Sequence, residues 1–170
     1  PWLAFATWDD LAALRAAPPA RISRGVMLKH RDGLYDAHGA WLSWPQDPRM
    51  VDAVLLYAEL AQGQRAGFTF GLWDGDALVP VGKAALDLTD EVHRDEARQL
   101  DRFIRDNTTE RFGAVRALAP KLVVEVAFQG LDRAARRRSG LALRAARIAR
   151  IHWDGPAAGA DRLATLEAML

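Results

Sequence analysis

VDAVLLYAELAQGQRAGFTFGLWDGDALVPVGKA, residues 51–84, is the stretch whose reading decides the fold. Its opening, VDAVLLYA (51–58), is a near-continuous apolar run of strand length, as expected of a buried strand. FTFGLW (68–73) and ALVPVGKA (77–84) flank Asp74-Gly75-Asp76. Asp-Gly between two such runs signals a hairpin, because these residue types accept the backbone of a tight turn. Pro80 has no amide hydrogen to give to a ladder, which places the second of these strands at an edge or a bulge.

Working outward, the period becomes helical from Thr89 to Asn107. Thr89 is placed to cap, Asp90 and Glu91 suit the first turn, and His93, Ala97, Leu100, Phe103 and Ile104 fall near one face. Strand signals return at LVVEVAF (122–128), LAL (141–143) and IARIHW (148–153). Residues 158–170 close with a short helix carrying Leu163, Leu166 and Leu170 on one side. Three strands, a helix, then two or three strands predict a mainly β domain. A five-stranded Greek-key barrel of the oligonucleotide-binding (OB) type has its helix in that place, between strands 3 and 4. An SH3-like barrel or a mixed α+β domain would give a similar pattern.

Ahead of this block, Thr7 can cap a helix with Asp9 and Asp10 in its first turn and Leu11, Leu14 and Ala17 on one side, stopped by Pro18 and Pro19. A short strand VMLK (26–29) leads into an Arg31-Asp32-Gly33 turn, and AWLSWPQDP (40–48) reads as a linker or edge segment. The boundary therefore falls near residue 48: a short α/β unit at 1–48 and a β domain at 49–170.

The chain has 170 residues, half of them hydrophobic, and a formal net charge of +1. It has no cysteine, which excludes disulfides and thiolate metal sites. No apolar run is long enough to span a membrane, and no basic-then-apolar leader opens it. A cytoplasmic setting is expected, and Pro1 as first residue reads as the start of a processed or truncated piece. Against the near-neutral total, Arg133, Arg136, Arg137, Arg138, Arg144, Arg147 and Arg150 crowd into one stretch. Such a concentration suits a surface that meets phosphate; a solvated arginine-rich hairpin or helix would look the same.

From about Trp8 to Leu170 the sequence resembles the C-terminal part of bacterial ATP-dependent DNA ligases, the end of the adenylation domain plus the OB domain. Gly25-Val26-Met27-Leu28-Lys29 is similar to the fourth nucleotidyltransferase motif, and Trp41 to Pro48 to the fifth with its exit. Val51-Asp52-Ala53-Val54 resembles the start of the OB domain. TFGLWDGDALVPVGKA, NTTERFGAVRALAP, LVVEVAF and SGLALR continue the match, and Arg147 to Pro156 resembles the region of the sixth motif. The departures fall on charge. The fourth-motif glutamate is Arg24, the fifth-motif lysines are Ser43 and Pro45, and the sixth-motif arginine and lysine are His152 and Gly155. The Phe-Pro that usually follows SGLALR is Ala145-Ala146, which would let RAARIARI run on as a helix and redirect its arginines.

The resemblance implies ATP and Mg2+ for the family, and nicked or duplex DNA, the missing adenylation domain or a repair protein as partners, at the nucleoid. It implies a role in nick sealing during repair, replication and recombination. Such ligases attach AMP to the lysine of Lys-x-Asp-Gly, which must be deprotonated and face the α-phosphate. None of Lys29, Lys83 and Lys121 begins that motif, so the chain is expected to hold neither ATP nor Mg2+ tightly and to be inactive by itself. No catalytic residue is assigned. Lys29 is a remnant of the nucleotide pocket or a strand-end surface lysine; His152 and Asp154 are former triphosphate contacts or turn residues. Trp41 and Trp44 stack on a base or pack a domain seam. His30, His38, His93 and His152 have no metal-ligand spacing, and Glu125 points off the core face. By position in the family, Arg133, Arg136, Arg144 and Arg147 are expected on the DNA backbone, with Arg150 and Lys83 beside them. A fragment of a ligase, a degenerate copy, a free-standing nucleic-acid-binding OB module and a structural or protein-interaction domain all stay open at this stage.

Overall fold

The computed structural model describes residues 3–17, 25–30, 41–61, 64–86 and 94–170. The chain divides into two compact units, Pro1–Pro48 and Arg49–Leu170. Thr89 and His93, read as the cap and first turn of the long helix, lie outside the described residues, as do Pro18, Pro19, Arg24 and the Arg31-Asp32-Gly33 turn.

In the first unit, helix α1 spans Trp8–Ala16. Thr7 caps it: its hydroxyl accepts the Asp10 amide at 3.2 Å, and the Asp10 carboxylate accepts the Thr7 amide at 2.8 Å. This reciprocal pair satisfies donors that a helix start leaves open. Strands β1 (Val26–Leu28) and β2 (Leu42–Trp44) pair antiparallel, Val26 opposite Trp44. Arg15 ties helix to sheet segment: its guanidinium donates to the Pro45 carbonyl and the Asp47 carboxylate, and stands 4.9 Å over the Trp44 ring.

The second unit is mainly β. Strand β3 (Arg49–Ala61) runs against β4 (Gln64–Asp74), and β4 against β5 (Ala77–Ala84) through the two-residue turn Gly75-Asp76. Gly75 has φ +59, the left-handed backbone that favours glycine. Pro80 sits where expected: β5 ends the sheet path, and the register shifts at Phe70/Gly71 opposite it. Helix α2 (Arg94–Asn107) follows, burying Ala97, Leu100 and Ile104 on one stripe. Its end leads into a hairpin of β6 (Thr108–Phe112) and β7 (Val115–Leu118), which the sequence reading had not identified. Strand β8 (Val123–Phe128), the hairpin of β9 (Gly130–Arg133) and β10 (Leu141–Arg144), and β11 (Arg147–His152) complete the strands. The main sheet has the order β11-β8-β3-β4-β5, with β7 also on β3. It is a curled antiparallel half-barrel of OB-like character. A 3-10 turn at Ala157–Gly159 and helix α3 (Leu163–Glu167) end the chain.

Alternation explains the core. Val51, Ala53 and Leu55 of β3, Phe68, Phe70 and Leu72 of β4, and Val124, Val126 and Phe128 of β8 all turn inward, onto α2 and α3. The run at 51–58 reads as continuous because Val54 is buried too, on the opposite face. There the C-terminal segment covers it. Trp73 Nε1 donates to the Ala157 carbonyl at 2.8 Å, and the Asp161 amide donates to the Asp52 carbonyl at 2.8 Å.

Candidate nucleic-acid interface

The arginine-rich stretch is a hairpin and a strand. The segment 134–140 between β9 and β10 is closed by backbone bonds: Ala134 amide to Gly140 carbonyl at 2.7 Å, and Gly140 amide to Arg137 carbonyl at 2.9 Å. Ser139 is buried beneath it, its hydroxyl bonded to the Leu141 backbone, and Leu141 is a core residue. An apolar anchor thus fixes a loop whose charged side chains face solvent.

That loop leans on β5. Arg137 Nη1 reaches the Val81 carbonyl at 3.5 Å. Thr69, Gly82, Lys83, Arg137 and Arg138 share a cleft of about 370 Å³. Thr69 and Lys83 are direct ladder partners on β4 and β5, so three basic residues from two parts of the chain line one cleft beside a threonine. Lys83 also pairs with Glu59, which offsets part of its charge. Arg137 and Arg138 had not been singled out from the cluster. Nothing in their spacing distinguishes them, since the loop fold alone decides which arginines meet β5.

The other expected contacts are distributed differently. Arg133 and Arg136 are exposed on the same hairpin. Arg144 crosses over Gly130, where a Cβ would lie 2.6 Å from its guanidinium carbon, and its Nε meets the Asp132 carboxylate at 2.8 Å. This pair braces the hairpin. Arg147 follows Ala146, a wall of the cleft. Arg150 stands opposite Glu125 in the ladder. The feared run-on helix is absent: Ala145 takes φ 50, and β11 begins at Arg147. A register shift between Ile148 and Arg150 turns both Ile148 and Ile151 into the core and leaves Arg147 and Arg150 exposed.

Lys29 lies just past β1 with its ammonium 3.9 Å from the Trp41 ring centroid, a cation–π contact. Ser43 is exposed on β2, and the Pro45 carbonyl is taken by Arg15. Glu125 does face away from the core, as expected, and there meets company that no spacing rule disclosed. Asp52, Glu125 and His152, from β3, β8 and β11, bring one ligand atom each within 4.8 Å of one another. Asp52 and His152, with Asp154, also line a cleft of about 420 Å³ beside this group. No described helix is long and apolar enough to cross a membrane.

Three curated relatives are similar to this chain in sequence. The chain is 36% identical over 166 residues to a probable DNA ligase of Koribacter versatilis, covering 94% of this chain and 28% of that protein. It is 37% identical over 174 residues to one of Kineococcus radiotolerans, covering 96% and 34%. A probable DNA ligase of Opitutus terrae matches at 34% over 169 residues, 16% of its length. The chain thus spans about a third or less of the curated relatives it matches. No protein-family model matches. Among solved structures, the ligase domain of Mycobacterium tuberculosis LigD superposes with TM-score 0.55 at 16% identity, over 82% of this chain and 47% of that one. A mycobacterial DNA ligase D complexed with ATP and MES gives 0.53 at 17% identity, over 82% and 46%. At those identities the likeness is one of fold.

Proposed function

We propose, from the premise that this chain is homologous over nearly its whole length to a third or less of bacterial DNA ligases, that it is the duplex-holding OB portion of an ATP-dependent ligase. Its task is to grip the sugar-phosphate backbone of nicked DNA during sealing, while the nucleotide chemistry belongs to residues this sequence does not carry. The observation that supports the reading most directly is the convergence of Lys83, Arg137 and Arg138 on one cleft beside Thr69. Arginine keeps its charge and offers a planar fork to phosphate, and a threonine hydroxyl adds a neutral donor. Contacts of this kind hold and orient a duplex without reading bases. Exposed Arg133, Arg136, Arg147 and Arg150 extend the positive surface, whereas Arg144, paired with Asp132, acts on the hairpin first.

Fluorescence anisotropy on nicked and intact duplexes, at several salt concentrations, tests this. With about three phosphates neutralised, the slope of log K against log salt should be near −3, with affinity around ~10⁻⁴–10⁻⁵ M at physiological salt. Replacing Arg137 and Arg138 by Ala should flatten the slope by about 2, equally for all sequences. Absence of binding even at low salt would leave the structural-domain reading as the better one. A second experiment addresses catalysis: incubation with radiolabelled ATP and magnesium should give no labelled band on a denaturing gel. A stable labelled band would implicate Lys29, Lys83 or Lys121 and overturn the claim that the chain is inactive by itself.

A further inference from the structure

We propose that Asp52, Glu125 and His152 form a site for one divalent cation of the zinc class, which clamps the three strands that carry them. The strands are consecutive in the sheet, β11-β8-β3. Asp52 and Glu125 are direct ladder partners, and two carboxylates facing each other across a sheet repel unless something positive lies between them. Arg150, although opposite Glu125 in register, makes no ion pair with it within 4.0 Å. His152 supplies the third group. Its Nε2 is shielded from solvent and has no hydrogen-bond partner. It lies 3.3 Å from Asp52 Oδ1, near enough for charge contact but not aligned for a hydrogen bond. An occluded ring nitrogen left without a bond is costly unless something else uses its lone pair.

The dimensions suit a metal. With metal–ligand bonds of about 2.0–2.1 Å, neighbouring ligand atoms of a tetrahedral ion stand about 3.3 Å apart. That is the separation of Asp52 and His152, and a small side-chain adjustment brings Glu125 into the same shell from within 4.8 Å. One nitrogen and two carboxylate oxygens favour zinc and its first-row neighbours over magnesium or calcium, which prefer all-oxygen shells. The cleft bounded by Asp52, His152 and Asp154 leaves room for a water as fourth ligand. The first ligand is held in advance: Asp161 accepts the Asp52 amide at 2.9 Å and donates to its carbonyl at 2.8 Å. A bound ion would cancel the Asp52–Glu125 repulsion and pin β11 to the sheet, so its effect is on stability.

The test is calorimetric titration of chelator-treated chain with zinc chloride, with magnesium chloride in parallel, followed by thermal unfolding and cobalt(II) absorption. The expected result is one zinc per chain, a higher melting temperature, a strong four-coordinate cobalt band and no comparable heat from magnesium. Asp52→Asn and His152→Gln should each weaken zinc binding by more than about tenfold, since even outer partners of a metal site cost that much. His30→Asn, on a histidine of the other unit, should change nothing. NMR of the histidine ring nitrogens reads the wild type directly: His152 Nε2 should shift on zinc addition, which keeps the proposal decidable if a variant folds poorly. No zinc uptake, uptake indifferent to Asp52 and His152, or an unmoved His152 resonance would overturn it.

Discussion

Ala145 has φ 50, in a region that costs a residue with a Cβ about 1–2 kcal/mol. It sits where β10 ends and β11 has yet to begin, so this one dihedral turns a run of good helix formers into a strand pair. Glycine would relieve the strain and lose some of the gain to unfolded-state entropy. Ala145→Gly should therefore raise stability by up to about 1 kcal/mol, read as a shift of the urea midpoint at unchanged m-value. Ala145→Val, bulkier and β-branched, should lower it. A helical rather than strand-like chemical-shift pattern at 147–152 in the wild type would contradict the account.

At the scale of elements, α1 shows how a short helix is held by its ends. The capping box joins Thr7 and Asp10, and Thr7→Ala should cost about 1 kcal/mol of local helix stability. Asp10 carries a pH dependence. Hydrogen bonds from the Thr7 amide, then the Thr7 hydroxyl and the Ala6 amide, hold its carboxyl below the ordinary 3.8. A carboxyl depressed in the folded state stabilises fully above its unfolded value and loses that contribution as pH falls through the lower folded one. Protection of the Thr7 and Asp10 amides, taken relative to their intrinsic exchange rates, should accordingly fall below about pH 4, where carboxylates begin to protonate. Asp10→Asn should remove that acid step. An exchange profile with the same step in Asp10→Asn would place the titration elsewhere.

For the whole molecule, every described residue of the main core comes from Val51 onward, among them the β3, β4 and β8 faces, the α2 stripe and α3. A domain that owns its core folds by itself. Residues 49–170 alone should give a strand-rich circular dichroism spectrum and one cooperative melt within a few degrees of the full chain's. A non-cooperative melt of this piece would show that its core depends on the first 48 residues.

The β fold was legible because it rests on short-range signals. Period-two alternation at 68–73, the Asp74-Gly75 turn and the helical stripe of Ala97, Leu100 and Ile104 each report local backbone preference within a few residues. The β6–β7 hairpin escaped because Thr108–Phe112 is nearly all exposed and carries no buried face to set a period. β9 escaped because Gly130–Arg133 gains its strand only by pairing with β10. The basic surface was visible as composition, but which arginines reach one cleft was not. Arg137 and Arg138 meet Lys83 across a fold-back, and Arg144 is turned aside by Asp132. Asp52, Glu125 and His152 were unreadable for the same reason: they are far apart in the chain and become neighbours only when β3, β8 and β11 lie side by side. Local sequence sets which way a chain runs from residue to residue; strand order sets which side chains share a surface, and both candidate sites are matters of strand order.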